Sequence, residues 1–545
     1  MAVLLPALVS LASGSFSIPH DDDWSYRRVA EHFAQTGHVV FTGWVSMSLV
    51  GQVLWSWPFL RVFGDHEWVF GLSTAVLAAI GVSCAYYVAR QVLDRLWAAA
   101  AVMLVVIAPL FAGNTSTFMT DVPAFAAEMA CLALGVTALS RHGWPRWALL
   151  GGAIAVGIFA FSIREFALAA PVAVLLCSGA SDGARLRYQY LAASVLTLVV
   201  CAGIYLWSTH LPGHLRQAPA PPARASITDS ALECFTFALM LSPAIAFAAW
   251  RRLRWRRSLP TAAAIAVAAI GVAIHLHYGS VFNGGYLDRK GVGSTAVLAG
   301  GRPALLPRSL WDLLIAVGLA SGGLLAGIAA SVDHQALRRW RSWSLGTPIG
   351  VIWVFGTVYA ASLTVYGLLN FGLFDRYLWP LVFAVGVLIL RYSPPAPRRE
   401  WPRLLVGIVA ALSALLILTT AALTINVDTY SAARWKAGQI AVSYGVPANT
   451  VDAGFEWVGV HATGVFDASL YPKVPPYETW YAAMQPGFRE CAVVSGSPLN
   501  DPYLHFARTS TYEALGFAGR RTLYIYISHA PSCLSAAKSM GPPVG

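Results

Sequence analysis

The first residues with suitable chemistry for catalysis are three consecutive carboxylates, Asp21, Asp22 and Asp23, directly after an apolar segment. Apolar and aromatic residues then recur at helical spacing, which predicts an amphipathic helix on a membrane surface: Tyr26, Val29, Ala30 and Phe33. A single aspartate is enough to cap that helix, and neighbouring like charges repel unless something uses them. The triplet is therefore better explained by function than by capping alone.

A second acidic pair lies at the start of a later apolar segment. Asp121 precedes Pro123, which is tolerated in the first turn of a helix, so capping alone would explain this aspartate. Glu128 follows two helical turns further on, on the same face, which places a carboxylate inside the predicted membrane span. Because a charge inside a bilayer is costly, Glu128 is a functional candidate.

Two arginines accompany these acids. Arg164 and Glu165 are adjacent between two apolar segments, where a structural ion pair and a functional role are both open. Arg376 precedes another apolar segment, either as a surface anchor or as a clamp for phosphate. His275 and His277 are too sparse for a metal site and are expected to be structural. No glycine-rich loop follows a strand, so a nucleotide site is not expected.

The composition indicates a membrane protein. Of the 545 residues, 57% are hydrophobic and only 12% are charged, which is about half the charged share of a soluble domain. The apolar residues form blocks of about 20, the length that crosses a bilayer. We predict an all-α polytopic membrane protein with thirteen spans: 1–18, 66–89, 96–113, 121–140, 146–163, 165–179, 189–208, 231–250, 258–277, 310–331, 347–367, 378–391 and 404–424.

The arginines set the predicted orientation of these spans. They cluster in alternate short loops, for example at 251–257 and 338–341, and by the positive-inside rule those loops face the cytoplasm. The net charge of +11 therefore reports topology, and binding to nucleic acid is not expected. The opposite loops, which include the acidic triplet, are predicted to face the outside of the plasma membrane.

Two domains are predicted, a transmembrane domain over 1–425 and a small extracytoplasmic α/β domain over 426–545. The first outward loop, 19–65, contains the amphipathic helix and an apolar stretch with tryptophans at 43–63, which we interpret as interfacial or re-entrant. The first span lacks the basic start and the small-residue cleavage site of a signal peptide, so it is predicted to remain as an anchor.

The tail changes from apolar blocks to mixed periodicity. A helix is predicted over 428–444, and short strands over 492–495 and 522–528. Cys491 and Cys533 are the two cysteines of this region, and an oxidising extracytoplasmic compartment would allow them to form a disulfide. The other five cysteines lie in or beside the spans and are expected to pack there.

These motifs resemble a known family. The segment 22–30, followed by Thr36 and Gly37, resembles the acidic first-loop signature of the glycosyltransferase C superfamily, in the branch with protein O-mannosyltransferases and lipid A aminoarabinose transferases. Asp23 stands where that signature has glutamate, and the likeness weakens after about the seventh span. Later segments also resemble this branch, or bacterial glycosyltransferases of unassigned substrate: 119–123, 375–380, 433–435 and 454–457.

The resemblance implies an inverting transfer of a sugar from a polyprenyl-phosphate carrier to an acceptor hydroxyl, with little or no dependence on metal. On this interpretation Asp22 is the general base, Asp23 is catalytic beside it, and Asp121 positions a substrate. Arg376, and secondarily Arg164, would meet the negative charge that develops on the departing phosphate.

The same interpretation assigns substrate binding to three further residues, Tyr26, Glu128 and Glu165. No cofactor is required, and a divalent metal is compatible with the site but not indicated. The expected partners are a lipid-linked sugar donor, a glycan, lipid or protein acceptor, and membrane lipid. The identities of the sugar and of the acceptor stay open.

The competing class of protein is a transporter or flippase of a lipid-linked saccharide. That class explains the spans and the intramembrane acid, but not a cluster of carboxylates at one outward face beside a folded domain. A scaffold whose tail binds cell-wall polymer also stays open. The transferase interpretation predicts that Asp22, Asp121 and Arg376 converge on one cavity, which opens sideways to lipid beneath the tail domain.

Overall fold

The structure is a computed structural model, described for residues 3–108, 110–182, 187–216, 224–249, 258–281, 287–288, 291–292, 296–330, 345–369, 371–392, 403–467, 479–514, 519–530 and 533. Its first half is helical: α1 (Leu4–Ser13), α2 (Asp23–Thr36), α3 (Val50–Phe63), α4 (Glu67–Arg90), α5 (Arg95–Val106), α6 (Phe111–Asn114), α7 (Asp121–Leu139), α8 (Trp144–Ile163), α9 (Ala169–Ser181), α10 (Arg187–Thr209), α11 (Arg224–Ala249) and α12 (Ser258–Tyr278).

The second half contains the remaining helices and all the described strands. The helices are α13 (Arg308–Ala330), α14 (Pro348–Leu368), α15 (Trp379–Tyr392), α16 (Arg403–Ser443), α17 (Phe455–His461) and α18 (Trp480–Ala483). The strands are β1 (Leu287–Asp288), β2 (Gly291–Val292), β3 (Val451–Asp452), β4 (Ala492–Ser495), β5 (Leu504–Ala514) and β6 (Gly519–Ser528).

Each of the thirteen predicted spans overlaps at least one helix of this structure, although the helices within 1–18 and 96–113 are shorter than the predicted spans. Within the described ranges, nine helices are long and apolar enough to cross a membrane, so the chain is a multi-pass membrane protein. The exact number of spans, like the orientation, stays a prediction. The basic loops 251–257 and 338–341, on which the orientation rests, lie outside the described residues.

Two predictions about the first eighty residues need correction. The predicted span 1–18 contains a helix of only 10 residues, which ends at Gly14 in a left-handed conformation. The amphipathic helix α2 does form, but it does not lie on an open surface. Its apolar side is buried against α3 and the start of α4, and Trp24 packs against Phe455 and Phe466 of the tail.

Small residues allow the central helices to approach closely, as is typical of membrane bundles. A Cβ atom on Gly81 of α4 would lie 2.7 Å from the Cα atom of Ala126 in α7. A Cβ atom on Gly135 of α7 would lie 2.3 Å from the side chain of Val174 in α9. These contacts fix α7 in the centre of the bundle, and they therefore fix Asp121 at its first residue.

The tail domain is built on a four-stranded sheet in the order β3-β4-β6-β5. β3 pairs with β4 in parallel, and the other neighbours are antiparallel. The predicted strands over 492–495 and 522–528 correspond to β4 and to part of β6, whereas β3 and β5 were not predicted. The helix predicted over 428–444 is the end of α16, a helix of 41 residues that is continuous with the last predicted span.

A disulfide joins Cys491, directly before β4, to Cys533, beyond the end of β6. The five other cysteines of the chain are free thiols: Cys84, Cys131, Cys177, Cys201 and Cys234. Because the bond closes a loop of 42 residues, its loss is expected to lower the stability of the tail domain by roughly 2–4 kcal/mol.

We predict that alkylation of the denatured, unreduced protein will modify the five free cysteines and spare Cys491 and Cys533. After reduction, peptide mass spectrometry should find all seven cysteines modified. The five free thiols act as internal controls for complete alkylation. Modification of Cys491 or Cys533 before reduction would contradict the bond.

Candidate active site

A cavity of about 1090 Å³ lies between the bundle and the tail domain. Its walls come from the loops before α2 and α3, from the turn after α8, from α10, from the turn before α15, and from the tail-domain residues Phe455 and Trp480. The charged residues that line it are Asp21, Asp22, Arg164, Glu165, Arg216 and Arg376. The predicted site residues Asp22 and Arg376 therefore face one common space.

The guanidinium group of Arg376 is the centre of this charge cluster. Its Nη1 donates to Asp21 Oδ2 at 2.6 Å, and its Nη2 donates to Asp22 Oδ2 at 3.0 Å. Its Nε lies 3.3 Å from Asp121 Oδ2. A single guanidinium group thus joins Asp22 and Asp121, which brings their carboxylates within the roughly 10 Å expected of two acids that act on one sugar.

A short turn, Asp375–Leu378, holds Arg376 in this position. Asp375 accepts a hydrogen bond from the backbone N–H of Leu287 at 2.9 Å, and the Tyr359 hydroxyl donates to the carbonyl of Tyr377 at 2.9 Å. The rings of Phe374 and Tyr377 lie 5.1 and 5.7 Å from the guanidinium carbon of Arg376. Together these contacts leave the side chain only 3% exposed.

Arg164 binds Asp121 from the other side. Its Nη2 lies 3.1 Å from Asp121 Oδ1, its Nε donates to Thr120 at 2.9 Å, and it stacks 4.4 Å from the centre of the Tyr377 ring. Burial, the largest single influence, would lower the pKa of Arg164, but Asp121 together with Tyr377 and Tyr26 raises that pKa above its usual value. Both arginines predicted to bind phosphate are therefore already in contact with carboxylates.

Asp21 and Asp22 are fixed by neighbours that sequence analysis did not single out. The indole N–H of Trp44 donates to Asp22 Oδ1 at 2.8 Å. Asp21 has a φ of 59°, in the left-handed region, and its N–H donates to Glu456 Oε1 at 3.0 Å. A non-glycine residue in that conformation needs surrounding contacts to hold it, and such strain is typical of functional sites.

Glu456 connects this loop to the tail domain. Its Oε2 accepts a hydrogen bond from Nη1 of Arg434, in α16, at 2.6 Å. α17, which carries Glu456, also approaches α2 closely, because a Cβ atom on Gly459 would lie 2.3 Å from the Trp24 ring. The only sequence signal for Glu456 was its place in a segment that resembles bacterial glycosyltransferases.

Asp23, unlike Asp21 and Asp22, does not line the cavity, and its predicted catalytic role stays a prediction. Its carboxylate is fully buried and accepts hydrogen bonds from His20 N at 2.8 Å, Phe118 N at 3.1 Å and Arg27 Nη2 at 2.9 Å. Burial raises the pKa of Asp23 to about 7, although Arg27 opposes that shift. The residue joins the loop before α2 to the segment before α7, and these contacts favour a structural role.

Two of the three predicted substrate contacts line the cavity. Tyr26 is buried, and burial, followed by the charge of Asp22, raises the pKa of its phenol well above the usual value, so it remains a hydrogen-bond donor. Glu165 accepts from the backbone N–H and the hydroxyl of Ser48, both at 2.9 Å. Glu128 instead lies beneath the cavity, beside a pocket of about 10 Å³ that Asp121 and the two arginines also border.

A second, smaller cavity of about 100 Å³ lies on the other side of the loop before α2. Asp21 and Arg376 border both cavities, and the polar side chains of Asn114, Tyr430 and Glu456 line only the smaller one. In the part of the chain that the structure describes, no group of three or more His, Cys, Asp or Glu residues could hold a metal ion.

The fold and the site define a membrane protein with a cluster of carboxylates and arginines in a cavity between its bundle and a folded tail. Residues 53–207 match the family model of dolichyl-phosphate-mannose-protein mannosyltransferases. That segment runs from α3 to α10 and contains Asp121 and Arg164, whereas Asp22 and Arg376 lie outside it. Over this segment the match confirms the resemblance to the protein O-mannosyltransferase branch of the glycosyltransferase C superfamily.

The similar solved structures are distant. ArnT from Cupriavidus metallidurans bound to undecaprenyl phosphate is 12% identical over 96% of this chain and 97% of that chain, with a TM-score of 0.37. The Archaeoglobus fulgidus oligosaccharyltransferase in the apo form is 15% identical over 89% of this chain and 63% of that chain, with a TM-score of 0.43. Similarity at this level assigns no function. No curated protein matches the sequence.

The structural role of Asp23 is testable by substitution. We predict that Asp23→Ala will lower the free energy of unfolding by about 1–3 kcal/mol, because the buried backbone N–H groups of His20 and Phe118 lose their acceptor, while Arg27 keeps its ion pair with Glu67. Thermal unfolding of the detergent-solubilised protein measures this change. Asp65→Ala, at an exposed aspartate in the same loop, is the matched control and should leave the unfolding temperature unchanged. An Asp23→Ala protein of normal stability without activity would restore the catalytic assignment.

Proposed function

We propose that this protein transfers a sugar, with inversion, from a polyprenyl-phosphate carrier to an acceptor hydroxyl at the outer face of the plasma membrane. The observation that supports this most directly is the pairing of Asp21 and Asp22 on Arg376 at the inner end of a cavity large enough for a lipid-linked sugar. The match of residues 53–207 to mannosyltransferases that use dolichyl-phosphate mannose supports the class of donor.

The position of the cavity suits a substrate that stays in the bilayer. α10 forms part of its wall through Leu198, Cys201, Ala202 and Tyr205, and only 17% of the α10 span is buried inside the protein. A helix with so little protein contact faces lipid along most of its length. A polyprenyl chain that lies along α10 would bring its sugar to the carboxylates without leaving the membrane.

In the proposed reaction the acceptor oxygen attacks the anomeric carbon of the sugar. The bond from that carbon to the phosphate oxygen breaks, both of its electrons leave with the polyprenyl phosphate, and the acceptor proton passes to Asp22. Trp44 and Arg376 each hold one oxygen of Asp22, so the carboxylate is oriented before the substrate arrives. Asp121 does not line this cavity, so it is proposed to act through Arg164 and Arg376, which do line it and which it holds in position.

Inversion requires that the acceptor and the departing phosphate lie on opposite sides of the anomeric carbon. The two cavities that share Asp21 and Arg376 are suited to this arrangement. We propose that the donor occupies the larger cavity, and that the acceptor enters through the smaller one and passes Asp21 to bring its hydroxyl to Asp22, which lines only the larger cavity. The acceptor itself, whether glycan, lipid or protein, is not specified by these contacts.

Transport of a lipid-linked saccharide is less well supported. Beneath the two arginines, the pocket beside Glu128 has a volume of about 10 Å³, roughly that of one water molecule. A saccharide moving between the two faces along this side of α7 would have to separate ion pairs that bind Asp121 to both Arg164 and Arg376.

The role of Asp22 can be tested in cells whose chromosomal copy of the gene is deleted and which carry the gene on a plasmid. We predict that Asp22→Asn will lower transfer by about 10²–10⁴-fold, because a general base contributes that much to rate. The donor lipid should then accumulate as in cells without the gene. Mass spectrometry of the extracted polyprenyl-phosphate lipids measures this accumulation and identifies the sugar.

Two matched variants make the result specific. Asp65→Asn removes an exposed carboxylate of the same loop and should leave the lipid profile normal. Asp21→Asn removes the other carboxylate on Arg376 and should reduce transfer less than Asp22→Asn. A larger effect of Asp21→Asn would move the base to that residue, whereas an unchanged lipid profile in both variants and in cells without the gene would contradict the transferase.

A further inference from the structure

The inner end of the larger cavity carries an excess of negative charge. Arg164 and Arg376 are in ionic contact with three carboxylates, those of Asp21, Asp22 and Asp121. Two positive groups therefore face three negative ones, before Glu165 at the cavity wall is counted. A phosphate that entered this cluster would be repelled by the carboxylates, and it would compete with them for both guanidinium groups.

A third arginine lines the same cavity at its rim. Arg216 follows the end of α10, is exposed, and donates from Nε to the carbonyl of Thr209 at 3.1 Å. Among the residues described, no carboxylate lies within ion-pair distance of its side chain, and the next seven residues of the sequence, 217–223, contain no Asp or Glu. Its two terminal nitrogens therefore remain available to an anion in the cavity.

The side of α10 that lines the cavity leads directly to this arginine. Leu198, Cys201 and Tyr205 line the cavity in order along the helix, and Thr209 and His210 line it at the end of the helix. His210 Nδ1 lies 2.6 Å from the carbonyl of Leu206, so its ring is held beside the last turn. An isoprenoid chain packed along α10 would therefore end at polar groups of the same segment.

We infer that Arg216 binds the phosphate group of a polyprenyl phosphate, while the carboxylates on Arg376 act on the sugar. This inference rests on the proposed function for the identity of the lipid, but the phosphate site is a property of the α10 segment alone. The planar fork of an arginine suits two phosphate oxygens at once. The donor is thus held by its charge at the rim, and its sugar points inward to Asp22.

Binding to the purified full-length protein in detergent micelles tests this site without requiring transfer. The probes are undecaprenyl phosphate, undecaprenol, which lacks the phosphate, and inorganic phosphate. We expect Arg216→Gln to weaken the binding of undecaprenyl phosphate by about tenfold or more, as for a lost charge-assisted contact. Its affinity for undecaprenol should equal that of the unmodified protein. Millimolar inorganic phosphate should not displace the lipid.

The control is Arg520→Gln, which removes an exposed arginine of β6 whose Nη2 donates to a threonine on the neighbouring strand, Thr511, at 2.9 Å. It should not change the affinity for any probe. Arg216→Lys keeps the charge and should recover part of the lost affinity, which separates a phosphate contact from a local folding defect. Thermal unfolding of each variant is measured beside its binding.

Three results would overturn the inference. They are an unchanged affinity of Arg216→Gln for undecaprenyl phosphate, an equal loss of affinity for undecaprenol, or displacement of the lipid by inorganic phosphate alone. Failure of the proposed transferase would look different. Asp22→Asn and deletion of the gene would then leave the cellular lipids unchanged, while the dependence of undecaprenyl phosphate binding on Arg216 would persist.

Discussion

The charge of Arg376 is the constraint on which the arrangement of the cavity depends. Its guanidinium group joins Asp21 and Asp22, which follow α1, to Asp121, which begins α7. Without that cation, the buried carboxylate of Asp121 and the partly buried carboxylates of Asp21 and Asp22 would repel one another, with only Arg164 left to bind Asp121. Three features therefore act together. The turn before α15 positions the guanidinium group of Arg376, and the close packing of α7 and the strained backbone of Asp21 bring carboxylates to it.

The contact between Arg376 and the carboxylates separates two chemical tasks, acceptance of a proton and binding of the donor phosphate. The sequence pattern had predicted both tasks for the same cluster of residues. An arginine surrounded by carboxylates orients them, but it adds little net positive charge for a phosphate. On the proposed mechanism the inner end of the cavity accepts a proton, and the rim, at the end of α10, holds the anion. That division suits a membrane lipid, whose phosphate stays near the interface while its sugar reaches inward.

The apolar blocks predicted the helices well, because each is near the length that a bilayer imposes. The convergence of Asp22, Asp121 and Arg376 was also predictable, since alternating loops place all three at the same face. Which aspartate of the triplet enters the cavity was not, because α2 begins at Asp23 and turns that side chain towards Phe118. The contacts of Trp44 and Glu456 with this loop were not predictable, because they join segments that are distant in the sequence. The strand β5 was not predicted, because buried and exposed residues do not alternate along it.

The length of α16 has a mechanical consequence. The helix runs for 41 residues from Arg403 to Ser443, or about 60 Å, and it carries the sheet of the tail domain at its far end. An unbroken helix resists bending, and Arg434 within it is tied through Glu456 to the loop that holds Asp21. The tail domain is thus attached to the bundle by a rigid helix and not by a flexible hinge. Substrates must therefore enter and leave the cavity through movements of side chains and short loops, while the tail domain stays at a fixed distance from the bundle.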